Sequence, residues 1–202
     1  MDGQLLRCYL LELPIELREQ IYETVFALDG QRTSDRLDPL SLAREPNITR
    51  VSEAVRSETL PVYYGMRVLD VYTLVKCDSN SIVWLTTRKW YHNIPNRIRL
   101  VRTLVLRFAF VERYFGEPVE VQFMIRLNKG ENSFTMKHSF AHGWWSDAHR
   151  KGDPADCEEV VQAIRGHIMS TLTAAIGDHG VGNLTCEDID CMAAVDPKKL
   201  PI

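Results

Sequence analysis

Long apolar runs are missing from this 202-residue chain: none approaches the about 20 residues that a membrane-spanning helix needs, so no membrane association by that route is expected. The opening residues, Met1 to Arg7, lack the basic-then-apolar order of a secretory signal, which makes an intracellular setting, cytoplasmic or nuclear, the expectation. Cysteine is scarce and odd in number. Cys8, Cys77, Cys157, Cys186 and Cys191 stand in unrelated contexts, which argues against a disulfide framework and for reduced thiols. Only Cys186 and Cys191 lie close together, and their Cys-x4-Cys spacing has no second pair to complete a zinc site. That segment reads instead as a short terminal helix capped by Thr185.

Catalytic signatures are missing too. There is no Gly-x-Ser-x-Gly elbow, and no cysteine has a local setting that would lower its pKa. Gly177, Gly180 and Gly182 follow a predicted helix, where capping and turn duties explain them better than phosphate binding. A net charge of -3 selects no class of partner, and low-complexity tracts and internal repeats are absent. No cofactor, metal or enzymatic activity is therefore expected.

What the chain does contain is a globular composition, 45% hydrophobic and 25% charged, long enough for one core or a core with a small appended module. The first helix should start near Pro14, which is preorganised for an initial turn, and end at Asp29-Gly30. Its predicted apolar stripe is Leu17, Ile21, Val25 and Leu28, widened by Tyr22 and Phe26. Residues 31–46 read as a surface loop. Asn47 is the expected cap of a second helix, which Pro61 should end or kink, and Ser79 to Tyr91 reads as a third helix.

From Arg97 onward the pattern turns to β. Arg99 to Phe108 is rich in branched residues, and Val119 to Leu127 and Ser133 to Phe140 flank a glycine-containing turn as a hairpin. A last long helix, opened by Asp153-Pro154, carries Val160, Val161, Ile164, Ile168, Leu172 and Ile176 on one face. Strands that occur in a run, with Met66 to Val75 before them, point to an α+β fold: a helical segment over 1–65, and a region over 66–202 built on a mostly antiparallel sheet covered by the long C-terminal helix.

Two phrases in the first third carry a more specific signal. Leu13, Pro14, Glu16, Leu17, Arg18, Ile21 and Tyr22 form one, and Arg50, Val51, Arg56, Ser57, Glu58, Leu60, Pro61 and Tyr64 the other. Together they resemble the fungal F-box-like family, whose Leu-Pro-x-Glu-(Leu/Ile)-Arg-x-x-Ile-Tyr helix precedes a segment similar to Arg-Val-Cys-Arg-Gln-Ile-Arg-Ser-Glu-Ala-Leu-Pro-Leu-Phe-Tyr. The resemblance implies a non-enzymatic protein–protein interaction module and a possible role as a ubiquitin-ligase substrate adaptor. Leu13, Pro14, Leu17, Ile21 and Val51 would then meet the Skp-type adaptor of a cullin ligase, while the C-terminal part would recognise a target. Ser52 and Glu53 depart from the family, which has cysteine and arginine there, and the insert from Gln31 to Pro46 is long.

Beside the resemblance stands a simpler physical expectation. Apolar stripes at helical spacing are usually core, and this expectation favours burial of Leu13, Leu17 and Ile21, with Arg18, Arg56 and Glu58 as an ion-pair network at the helix junction.

Two alternatives come from later segments. His138, His142, Asp147 and His149 lie near Trp144 and Trp145 and could centre a small metal-binding protein or enzyme, although no standard motif joins them. The better reading of Trp144 and Trp145 is as partner-binding anchors. Residues 88–113 hold seven Arg or Lys against one Glu, so that Arg97, Arg99 and Arg102 could contact nucleic acid; half of these basic residues alternate along a predicted strand as a solvated face does, which makes an intramolecular or protein-partner surface the better reading.

Overall fold

The computed structural model describes residues 9–32, 45–78, 81–87, 90–112, 119–141 and 154–195. The chain divides into two compact units between Arg67 and Val68. Helices and a mostly antiparallel sheet are present in separate runs, which makes the fold α+β. Among the described residues no helix is long and apolar enough to cross a membrane.

The first unit is built on two helices, α1 (Ile15–Arg32) and α2 (Glu53–Met66), which pack on each other. Pro14 precedes α1, and its carbonyl accepts from the Leu17 and Arg18 amides at 3.1 Å each, closing the first turn. The α1 backbone continues through Asp29 and Gly30 to Arg32, so these two residues do not stop it.

Asn47 opens only a 3-10 turn, Asn47–Arg50. The cap of α2 is Ser52, whose backbone is extended and whose hydroxyl accepts from the Val55 amide at 3.2 Å. Pro61 neither ends α2 nor marks its boundary. Leu60, Tyr63 and Tyr64 around it are all buried, and the packing of this turn outweighs the amide hydrogen bond that the proline removes.

The second unit contains a five-stranded sheet in the order β2-β1-β3-β4-β5. The strands are β1 (Val68–Asp78), β2 (Ser81–Thr87), β3 (Thr103–Glu112), β4 (Val119–Asn128) and β5 (Ser133–Ala141). Only β1 and β3 run parallel; the other three neighbouring pairs are antiparallel. The expected third helix is therefore a strand. The run Ile82-Val83-Trp84-Leu85 is too short for periodicity to separate the two forms, and its backbone pairs antiparallel with β1. β3 begins at Thr103 because Pro95–Leu100 forms a 3-10 helix.

Side chains alternate across this sheet with period two, and one face holds most of the core, although β3 is also buried on its other face at Val105 and Ala109. Leu69 and Val71 of β1, Leu104, Leu106 and Phe108 of β3, and Val121, Phe123, Ile125 and Leu127 of β4 are all buried. Phe108 and Phe123 meet edge to face, with ring centroids 5.9 Å apart. Helix α3 (Pro154–His179) adds the buried stripe Val161, Ile164, Ile168, Leu172 and Ala175, and α4 (Cys186–Ala193) adds Ile189, Met192 and Ala193.

The two helices pack together in one layer. Thr185 caps α4 through a reciprocal box with Asp188, as its sequence position implies. Gly180 stops α3 at φ 82°, a left-handed conformation that costs glycine little, and the next amide, Val181, donates to Asn132 Oδ1 at 2.8 Å.

Candidate functional site

Helix α1 is apolar over a wide face, and only one flank of the expected face turns inward. Tyr22 and Phe26 are 0% and 2% exposed, and Phe26 meets Tyr63 edge to face at 5.2 Å. Leu17 and Ile21 remain 47% and 38% exposed, and Leu28 is exposed further along the same stripe. Leu17, Ile21 and Leu28 are therefore not core, against expectation, whereas Val25 and Leu13 are half-buried and the Tyr22 and Phe26 flank of the expected face is the part that packs. The larger aromatic pair offers more area to bury, and it carries a phenol that reaches a carboxylate on α2.

That carboxylate is Glu58. The Arg18 guanidinium grips it in a fork, Nε to Oε2 at 2.9 Å and Nη2 to Oε1 at 2.8 Å. The Tyr22 hydroxyl donates to Glu58 Oε2 at 3.1 Å. On its other side Arg18 Nη1 donates to the carbonyls of Leu11 and Leu13, so one side chain ties the chain's entry into α1 to the middle of α2. The hydrogen bond to Glu58 is the main reason the Arg18 pKa stands above its already high ordinary value. Arg56 is not part of this network; it pairs with Glu45 at 2.7 Å instead.

The residues expected at a docking surface are thus arranged as follows. Leu13 is half-buried with its carbonyl held, Pro14 is exposed, and Leu17 and Ile21 sit one turn apart on the outward stripe of α1. Val51, 66% exposed, stands on the approach to α2 and not on α1. Trp144 and Trp145 lie outside the described residues, as do His142, Asp147 and His149.

His138 is half-buried on β5, its ring 6.1 Å from that of Phe123 on the core side of the sheet. Among the described residues no group of three His, Cys, Asp or Glu is arranged to hold a metal ion.

The polar clusters of the second unit serve to join elements. Tyr91, fully buried, donates its hydroxyl to Asp190 on α4, and His92 Nε2 donates to the other oxygen of that carboxylate at 3.0 Å. Burial, then the bond to Asp190, raises the Tyr91 pKa far above that of a free phenol. His167 Nε2 donates to the Cys191 carbonyl at 2.8 Å, and His179 Nε2 to Asp188 at 3.0 Å.

Cys186 lies beside this cluster with its pKa raised by burial, which is the opposite of what a nucleophilic thiol needs. Sequence gives no signal for the pairing of Tyr91 and His92 with Asp190, since nearly half the chain separates them.

The basic segment is divided in the same way. Arg107 bridges neighbouring strands, with Asp70 at 2.8 Å and Glu120 at 3.3 Å, while burial raises the Asp70 pKa against the pull of Arg107. Arg97 is half-buried, and Arg99 and Arg102 are exposed. Lys129 donates to the Arg99 carbonyl, and burial together with the charge of Arg102 lowers its pKa. Compared with protein-family models, curated proteins and solved structures, the chain matches none.

Proposed function

We propose that this chain is a non-enzymatic, F-box-like interaction protein that docks a Skp-type adaptor of a cullin ubiquitin ligase through the outward stripe of α1. The observation that carries the reading is the exposure of Leu17 and Ile21 on a helix whose other apolar side is fully packed. Neighbouring apolar residues left open along one stripe of an anchored helix support a partner surface, since contiguous exposed apolar patches mark interaction sites where isolated ones do not.

A further support is that Arg18, Tyr22 and Glu58, polar letters shared with the two family phrases, form one hydrogen-bonded lock. It holds α1 at a fixed angle to α2 and spares a docking surface the cost of ordering on binding. Pro14 and Val51 would extend the contact at its margins, and an intracellular location, cytoplasmic or nuclear, goes with this role. The Skp-type adaptor is the proposed partner; no cofactor is needed.

The test is capture of a purified Skp-type adaptor by the full chain. The wild type should retain it, and Leu17→Asp with Ile21→Asp should release it while leaving the far-UV circular dichroism unchanged. Failure of the wild type to bind, or equal binding by the double variant, refutes the docking role.

A further inference from the structure

The two edges of the sheet are built differently. β2 pairs with β1 through a register shift between Leu74 and Val75, an irregularity that twists an edge and discourages further pairing. β5, the last strand on the other side, pairs with β4 in unbroken register from Ser133 to Ala141. Among the described residues no strand pairs with its outer edge, and the strand contains neither proline nor bulge. About half of its backbone N–H and C=O groups therefore point away from β4, in the spacing that another strand needs.

We propose that the outer edge of β5 receives an extended, acid-bearing peptide segment of a partner protein as an additional strand. Side-chain chemistry on both faces fits such an occupant. On the core side Phe134, Met136 and His138 are only half-buried, so alternate apolar residues of an added strand would cover them. On the other side Thr135, Lys137 and Ser139 are exposed next to Met124 and Arg126 of β4. Lys137 and Arg126 have no ion-pair partner among the described residues, and this strip of the sheet contains no acid opposite them.

A second copy of the chain is a poorer occupant. Lys137 is the midpoint of β5, and both in-register parallel and centred antiparallel self-pairing set it against Lys137 of the copy. Like charges directly opposite destabilise a strand pair, whereas an acidic residue at that place is stabilising. The expected segment is thus apolar-acid-apolar at its centre. The proposal concerns the second unit and does not depend on adaptor docking by α1.

A fluorescein-labelled nonapeptide of alternating threonine and valine around a central glutamate tests it by anisotropy against the full chain. The peptide should bind, and hydrogen exchange at β5 amides should slow in its presence. Replacing the central glutamate by lysine should weaken binding about two- to fivefold, and Lys137→Glu should reverse that preference. Of two peptides N-methylated at alternate residues in opposite phases, one should lose binding and the other keep it. Absence of binding, indifference to both methylation phases, a charge preference unmoved by Lys137→Glu, or self-association of the chain through β5 would each overturn the proposal.

Discussion

Replacing Leu17, Ile21 and Phe26 by alanine, one at a time, separates the two apolar sides of α1 by energy. Phe26 is 2% exposed and packed edge to face on Tyr63, so truncation leaves a void within packed aromatics and should cost about 3–5 kcal/mol. Leu17 and Ile21 are 47% and 38% exposed. Full burial of such a side chain is worth about 1.5–3 kcal/mol, and roughly half of each is already in water, so each truncation should cost about 1 kcal/mol. No cavity forms at a surface, which removes the term that makes core truncations so damaging.

The expected gap between Phe26→Ala and either surface variant is therefore about 2–4 kcal/mol, a wide separation for a protein whose total stability is about 5–15 kcal/mol. Urea unfolding followed by far-UV circular dichroism measures it, provided the denaturant slope is unchanged, so that a shifted midpoint reports stability alone. The variants are kept single because Leu17 and Ile21 are neighbours along one stripe and their effects need not add. If Ile21→Ala lowers the midpoint as far as Phe26→Ala, Ile21 is core, and the outward stripe that supports adaptor docking does not exist.

Other consequences are smaller or confined to particular conditions. Tyr22→Phe removes a buried donor to a carboxylate and should cost about 1.5–3 kcal/mol; in a double-mutant cycle with Glu58→Gln its effect should shrink by more than 0.5 kcal/mol in order of magnitude, and strict additivity would deny the shared lock. Ser52→Ala should cost about 1 kcal/mol through loss of the α2 cap, whereas Asn47→Ala should stay within about 0.5 kcal/mol.

The Tyr91 pKa is raised above the ordinary value of 10.0, so the unfolded chain loses that proton first and this contribution to stability falls as pH rises beyond 10. Tyr91→Phe, less stable at neutral pH, should close the gap to the wild type in unfolding scans between pH 9 and pH 11, on the order of the range over which a free phenol ionises. A constant difference across those scans would contradict the assignment.

How much of this could be read from the chain differs by element. The hairpin of β4 and β5, the long α3 stripe and the Thr185 cap of α4 follow from local signals: alternation, helical spacing, and a hydroxyl three residues before an acid. Ser81 to Thr87 is ambiguous in sequence because a short apolar run satisfies helix and strand alike, and pairing with β1 makes it a strand. The orientation of α1 was illegible for a different reason. Leu17, Ile21, Tyr22 and Phe26 are all apolar, so hydrophobicity alone does not say which side turns in. Glu58, far along the chain, settles it by accepting from Arg18 and Tyr22.

The departures from the resembling family acquire a physical meaning at the same place. Cysteine and arginine stand in the family where this chain has Ser52 and Glu53, and the substitution looks damaging if the second phrase is imagined as one continuous helix. In this chain the helix starts after Ser52, whose hydroxyl satisfies the Val55 amide, and Glu53 occupies the first turn, where the positive end of the helix dipole favours a negative charge.

Arginine at that position would meet the wrong end of the dipole, and a thiol would cap it weakly. Both departures therefore fix where α2 begins, four residues after Thr49 and five before Glu58. Because helix rotation advances by a set angle per residue, fixing the start also fixes which way Glu58 points. The local cap and the long-range lock thus act on one variable, the angular position of Glu58, which in turn decides that Tyr22 faces inward and leaves Leu17 and Ile21 to the solvent.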